Sequence, residues 1–202
     1  MKNSYYIRPA AALLALVLII VAGPVAAEGD AEQGSKLGFT CRGCHGIEGY
    51  RNAYPSYRVP RLGGQKTGYL KTALTEYREG KRPHPTMHAQ ASSLSDTDID
   101  DLLAWIGTFG KAADTATAAQ VATVETARIC VTCHGAQGAS VQPAPPILAG
   151  QHRDYLVHEL KQYRDGSRSG SVMSAFASTL SDADMALIAG FYASQDGVRT
   201  IK

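Results

Sequence analysis

The sequence predicts an all-α protein built from two tandem domains, and three observations carry that expectation. The chain aligns with itself at a shift of 86 residues. Both halves place apolar residues at helical spacing, with no convincing β-hairpin signal. All four cysteines fall in two copies of one short motif, CRGCHG at 41–46 and CVTCHG at 130–135.

The N-terminal element reads as a leader. Lys2 and Arg8 precede the apolar run AALLALVLIIVAG at 11–23, Pro24 breaks it, and VAA at 25–27 offers small residues for a peptidase. Residues 1–27 are therefore expected to be a signal peptide, cleaved after Ala27. The apolar run is short of the roughly 20 residues a spanning helix needs, and an uncleaved anchor is the alternative. Either way the folded part lies outside the cytoplasm. The leader also holds the whole formal charge of +2; beyond it, 18 basic residues face 18 acidic ones. No basic stripe dominates, so nothing points to a nucleic-acid partner. With 45% hydrophobic and 19% charged residues, the composition is that of a globular protein of one or two domains.

The repeat comes next. LGGQKTGYLKTALTEYREGKR (62–82) matches LAGQHRDYLVHELKQYRDGSR (148–168), and MHAQASSLSDTDID (87–100) matches MSAFASTLSDADMA (173–186). The cysteine motifs align at a shift of 89, because the stretch that follows the cysteines is three residues longer in the first half. Two copies of so long a period are a duplication, not a solenoid. Between the halves, GKAADTATAAQVATVE (110–125) is small, polar and alanine-rich, with no apolar stripe to bury. This sets a first domain at 28–110, a linker at 111–124 and a second domain at 125–202.

Within each half the elements are helices. DAEQGSKLGFTC and VETARICVTC are short helical approaches to the cysteines. TGYLKTALTEYREG sets Tyr69, Leu70, Ala73, Leu74 and Tyr77 on one face, and Gly80 stops it. In LSDTDIDDLLAWIGTFG, Ser95 is the N-cap, acids fill the first turn, and Ile99, Leu102, Leu103 and Ile106 form the buried face. LSDADMALIAGFYAS repeats this from Ser181. A domain of about 80 residues with three or four short helices has a small core, so something other than side chains must help fill it.

The cysteines supply that filler. In C-x-x-C-H, two thiols one helical turn apart can add to the two vinyl groups of a haem while the adjacent histidine reaches the iron. Cys41 and Cys44 then carry one haem with His45 as proximal ligand, and Cys130 and Cys133 a second with His134. Two covalently bound c-type haems are expected. Disulfides, a redox C-x-x-C or a zinc site shared between the halves are the alternatives. The first two leave the repeated histidine unexplained.

A six-coordinate iron needs a second axial ligand, and methionine is a usual partner of histidine in electron carriers. Met87 and Met173 fall in register, in otherwise polar loops, and are the expected ligands. Met185 aligns with Ile99 and is expected in the core. His84 and His88 flank Met87, but their counterparts are Gly170 and Ser174, so the repeat argues against them. Pro60 and Pro146 stand two residues before Leu62 and Leu148. The prolines can offer a carbonyl to the proximal histidine, and the leucines can pack on the haem. Tyr69, Tyr77 and Arg82, with Tyr155, Tyr163 and Arg168, are candidates to bind the propionates.

At these residues the chain resembles the diheme cytochrome c4 family. The resemblance spans 28–202 and rests on the paired CxxCHG motifs, P-x-L-x-G-Q…Y-L, Y-R-x-G-x-R, the following Met and L-S-D. It implies two class I cytochrome c domains related by a pseudo-twofold, each wrapped around a covalent haem, with propionate edges facing each other. It also implies a periplasmic electron carrier of a respiratory chain. Its donor is then a redox protein such as a cytochrome complex or copper protein and its acceptor a terminal oxidase, with peripheral membrane association open. Filled axial positions leave no iron site for a substrate, so no enzyme activity is expected. The alternatives are a diheme peroxidase, a thiosulfate-oxidising cytochrome or a subunit of a larger complex. One asymmetry stands out. The first haem loop carries Arg51, Arg58 and Arg61 with Tyr50, Tyr54 and Tyr57, whereas the second, AQGASVQPAPPILAG, is uncharged. The three arginines are expected to meet an acidic partner.

Overall fold

The computed structural model describes residues 29–110, 125–139, 142–168 and 171–202. The expected signal peptide and linker lie outside the described residues. The chain is all-α: the described residues form no strand, only isolated antiparallel bridges joining Arg51 to Arg58 and Gly63 to Arg199. None of the described helices is long and apolar enough to cross a membrane. The first half contains α1 (Ala31–Leu37), α2 (Phe39–His45), α3 (Thr67–Arg78), α4 (Pro85–Ala91) and α5 (Asp96–Gly107). The second opens with a 3-10 turn, Glu125–Ala127, and continues with α6 (Arg128–His134), α7 (Arg153–Asp165), α8 (Val172–Ala177) and α9 (Asp182–Ala193).

Local chemistry starts and stops these helices. Ser95 and Ser181 each close a capping box, with Asp98 and Asp184 returning the bond to the cap backbone. α3 ends at Arg78, and Gly80 follows at φ 71°. α5 buries Ile99, Leu102, Leu103, Trp105 and Ile106, and on α9 Met185 is wholly buried. α4 and α8 are the elements the sequence reading missed. Met87 and Met173 sit in their first turns, not in loops. With seven and six residues these helices are too short to show a period. They persist because His84 and Ser171 cap them, accepting from Met87 N and Met173 N at 3.2 Å each.

α1 crosses α5 at a glycine. Gly34 is buried, and a Cβ there would run into the Asp101 carbonyl and the Trp105 side chain. Asp101 ties the same crossing by accepting from Asp30 N at 2.7 Å, while Asp30 caps α1 through Glu32 N at 2.8 Å.

The two halves exchange parts. Tyr57 of the first belongs to the core formed by Ala127, Tyr155, Leu156, Ile188, Ala189 and Tyr192 of the second. Ile201, at the C-terminus, belongs to the core of the first with Leu70, Leu102 and Trp105. The tail that carries Ile201 bonds Ala149 through Val198 N at 2.9 Å and pairs Arg199 with Gly63 at 2.7 and 2.8 Å. Two glutamines complete the joint. Gln65 donates to Ile147 O and accepts from Ile147 N, both at 2.9 Å. Gln151 does the same to Arg61 O and Arg61 N, both at 3.0 Å. These pairs map onto each other under the 86-residue shift, which gives the pseudo-twofold.

The arginine loop, expected at a partner surface, also takes part in this joint. Arg58 Nε bonds Asp154 at 3.0 Å, its backbone N bonds the same carboxylate at 3.1 Å, and Arg51 reaches it at 3.3 Å. Arg61 pairs with Glu48 and donates to Gly150 O at 2.6 Å. Asp154 lies 96 residues from Arg58, so the sequence showed only unanswered positive charge.

The Gly34→Ala variant should lose about 1–3 kcal/mol of stability by overpacking at the α1–α5 crossing. Chemical denaturation followed by Trp105 fluorescence checks this, since Trp105 lies at the crossing.

Candidate functional site: two cysteine–histidine turns on one cavity

Each C-x-x-C-H motif occupies a seven-residue helix, α2 or α6, so its cysteines stand one turn apart and its histidine ends the helix. None of the four cysteines is joined to another in a disulfide. Burial pushes the Cys41 and Cys130 thiols up. His45 Nδ1 bonds Pro60 O at 2.8 Å, and His134 Nδ1 bonds Pro146 O at 3.0 Å. A carbonyl only accepts, so Nδ1 carries the proton in both rings and the Nε2 lone pair is left for a ligand bond. Burial lowers both histidine pKa values, against the raising effect of the proline carbonyls. Both rings are therefore neutral near pH 7.

One cavity of about 520 Å³ runs between the halves. Cys41, Cys44, His45, Met87, Cys130, Cys133, His134 and Met173 all line it, as do Pro60, Leu62, Pro146 and Leu148. His88 does not; its Nδ1 donates to Tyr77 O at 2.8 Å. His84 lines the cavity, but its Nδ1 is occupied by Met87 N–H and its Nε2 lies 3.3 Å from Asn52 Nδ2. Among the described residues no three His, Cys, Asp or Glu side chains gather to hold a metal ion, so the zinc alternative has no ligand set there.

Charge concentrates where the halves meet. Arg82 and Arg168 occupy equivalent positions in the two halves, and both are buried. Glu159 bridges them at 2.8 and 2.6 Å, and Arg168 reaches on to Glu76 at 3.2 Å. Arg82 also donates to Tyr155 OH at 2.7 Å and Tyr69 OH at 3.4 Å. The arginines and tyrosines are those singled out in the sequence as propionate partners. The acids were missed. Glu159 aligns with Ala73 and Glu76 with Gln162, so the repeat gave no signal for either. Gln65 and Gln151 did recur in register, inside the G-Q motif.

The cavity fits a pair of c-type haems. It offers two thiol pairs for covalent attachment, two neutral imidazoles with a free Nε2, and predominantly apolar walls. Among the lining residues, Arg82 keeps its Nε as a buried donor with no protein partner, a group that a carboxylate can satisfy.

An all-α chain with two such turns on a shared cavity is a diheme c-type cytochrome. A cytochrome c profile matches residues 31–109, and the profile of the cbb3-type cytochrome c oxidase subunit III matches 116–191. Cytochrome c4 of Pseudomonas aeruginosa is 30% identical over 89% of this chain and 96% of its own length. A thiosulfate dehydrogenase electron acceptor of Stutzerimonas stutzeri is 30% identical over 96% of each chain. Reduced cytochrome c4 from Pseudomonas stutzeri superposes with a TM-score of 0.64 at 25% identity, over 83% of this chain and 99% of that one. Thiosulfate dehydrogenase from Marichromatium purpuratum gives 0.67 at 29% identity over 82% of this chain, which spans 40% of that one. This chain belongs to the cytochrome c4 family. As a diheme cytochrome of this family it is an electron carrier. A periplasmic location is typical of the family.

The buried bridge gives a pH dependence with a definite sign. Burial raises the Glu159 pKa, but Arg82 and Arg168 outweigh it and hold the carboxyl below its ordinary 4.5. A depressed native pKa gives stability that is full above the unfolded value and is lost as pH falls through the native one. Thermal unfolding should therefore show the wild type losing stability below pH 4.5. Glu159→Gln should cost about 3 kcal/mol at pH 7, because it strips one partner from a buried pair. It should also respond less to the same acidification.

Proposed function

We propose that the chain is a periplasmic diheme electron carrier of a respiratory chain, with each half binding one haem through its own residues. The haems, when bound, supply reversible one-electron exchange. Cys41 and Cys44 anchor one and Cys130 and Cys133 the other. His45 and Met87 would hold the iron of the first, and His134 and Met173 that of the second. Pro60 and Pro146 hold the histidine rings through their carbonyls, and Leu62 and Leu148 close the cavity walls. The observation that carries this reading is the repeated geometry: in both halves a neutral, Nδ1-protonated histidine and an in-register methionine line one cavity. The functional units are a signal peptide at 1–27, domains at 28–110 and 125–202, and a linker at 111–124.

Electrons enter from a redox protein such as a cytochrome complex or copper protein and leave towards a terminal oxidase, with peripheral association at its membrane. The thiosulfate-linked relatives favour a second reading of the donor, in which an enzyme oxidising thiosulfate reduces this chain.

The cavity rim supports a choice of face. Ile129, Val172 and Phe176 are 59%, 69% and 37% exposed and also line the cavity. They therefore stand where its wall meets solvent. The positions aligned with them are Thr40, Thr86 and Gln90, likewise exposed and lining. In the second domain, residues 129–139, 142–151 and 171–181 contain no Asp, Glu, Lys or Arg. An apolar, uncharged rim suits a partner that presents the same, so the second domain is the docking side.

Met87→Ala should abolish the sulfur–iron charge-transfer band of one haem and open that iron to carbon monoxide, and Met173→Ala should do so for the other. A band that survives both substitutions would exclude methionine ligation. At the rim, the triple variant Ile129→Thr, Val172→Thr, Phe176→Gln should slow reduction by a blue-copper protein with an uncharged face. The expected effect is on the order of tenfold, with little change in salt dependence. Stopped-flow absorbance at two ionic strengths checks both points.

A further inference from the structure

The glutamines of the joint do more than hold the domains together. A peptide group joins the carbonyl of one residue to the N–H of the next. The carbonyl of Pro60 and the N–H of Arg61 therefore belong to one planar unit. His45 Nδ1 bonds the carbonyl side of that unit at 2.8 Å, and Gln151 Oε1 bonds its N–H side at 3.0 Å. The same unit recurs in the other domain. His134 Nδ1 bonds Pro146 O at 3.0 Å, and Gln65 Oε1 accepts from Ile147 N at 2.9 Å. In both cases the glutamine comes from the domain opposite the histidine.

We propose that Gln151 tunes the first domain's proximal histidine, and Gln65 the second's, each acting across the domain interface through one polarised peptide group. Hydrogen bonds in series polarise one another. An acceptor on the peptide N–H makes its carbonyl a better acceptor for imidazole Nδ1–H. A stronger bond at Nδ1 makes Nε2 a better electron donor to its metal. The ferric state is the more electron-poor, so this bond favours ferric iron and holds the potential down. The two glutamines are positioning residues: each works through the other domain's histidine, by way of the peptide group it grips. Their second acceptor bonds, from Lys66 N and His152 N at 3.0 Å each, fix the carboxamide oxygens in place. The repeat explains why the arrangement is mutual, because duplication of one loop about a twofold places each copy's glutamine against the other copy's peptide.

The inference rests on His45 and His134 being the axial histidines, and the test separates the two claims. Gln151→Met keeps length and loses both polar atoms; Gln65→Met is its counterpart. In a redox titration of the holoprotein, with each haem followed through its own NMR resonances, Gln151→Met should raise the ferrous-to-ferric ratio of the first haem. At fixed potential the rise should be about threefold, or ~30 mV for one electron, with the second haem moving far less. Gln65→Met should shift the second haem and spare the first. The Nδ1–H resonance of the affected histidine should move upfield as its bond weakens. Gln151→Glu and Gln65→Glu keep an accepting oxygen and should not raise the potential, which gives a reading even if a Met variant separates the domains. A shift in the glutamine's own domain, equal shifts in both haems, or no shift with histidine-ligated spectra intact would overturn the relay. A wild-type spectrum without histidine ligation would overturn the ligand assignment instead.

Discussion

A domain whose centre is a cavity for a cofactor cannot close its core on itself, and the rest of this structure answers that constraint. Few apolar residues are available in each half to cover the walls. The two halves therefore supply one another. Tyr57 fills the second core and Ile201 the first, and each crosses the boundary on a segment with no helix of its own. Such segments are held only if their backbone groups are satisfied. That is the work of Gln65, Gln151 and the Arg199–Gly63 bridge. The glutamine bonds fall on the residues next to Pro60 and Pro146, so the joint and the orientation of the histidines are one construction.

The charged groups follow from the same geometry. Arg82 and Arg168 are buried where the halves meet, and a buried guanidinium left unpaired is costly. Glu159 neutralises both at once. Replacing either arginine would leave Glu159 short of a partner and weaken the contact from both sides. Asp154 plays the corresponding part at the rim of the joint, where Arg51 and Arg58 converge on it. Its site is partly solvated, so it contributes less than the buried bridge.

How much of this was legible depended on sequence distance. The caps at Ser95 and Ser181, the α3 face of Leu70, Ala73 and Tyr77, and the burial of Met185 are local or repeat-borne, and they could be read directly. The cysteine motifs announced the haems, because thiol spacing on one helical turn is local chemistry too. Contacts across the joint were not legible. Arg58 and Asp154 are 96 residues apart, and Gln65 and Ile147 are 82 apart. Nothing short-range distinguishes a paired arginine from a free one. α4 and α8 escaped because a helix of two turns has no period to display, and their caps include a histidine, which is seldom read as one.

The repeat also locates the source of any difference between the two domains. The histidine–proline bonds, the glutamine grips and the stacking of Arg82 on Tyr77 and of Arg168 on Tyr163 occur twice, so they act alike on both haem sites. Glu159 breaks the repeat, yet it bonds an arginine from each side, and its charge is shared between the sites rather than given to one. Contacts shared in this way offer electrons no preferred direction. Glu76 bonds Arg168 alone, and the larger unshared features lie at the periphery: an arginine-rich loop folded against Asp154 in the first domain, and an uncharged rim of Ile129, Val172 and Phe176 in the second. A duplicated carrier can keep its interior twofold and still have an entrance and an exit, provided the divergence is confined to the surface that partners touch.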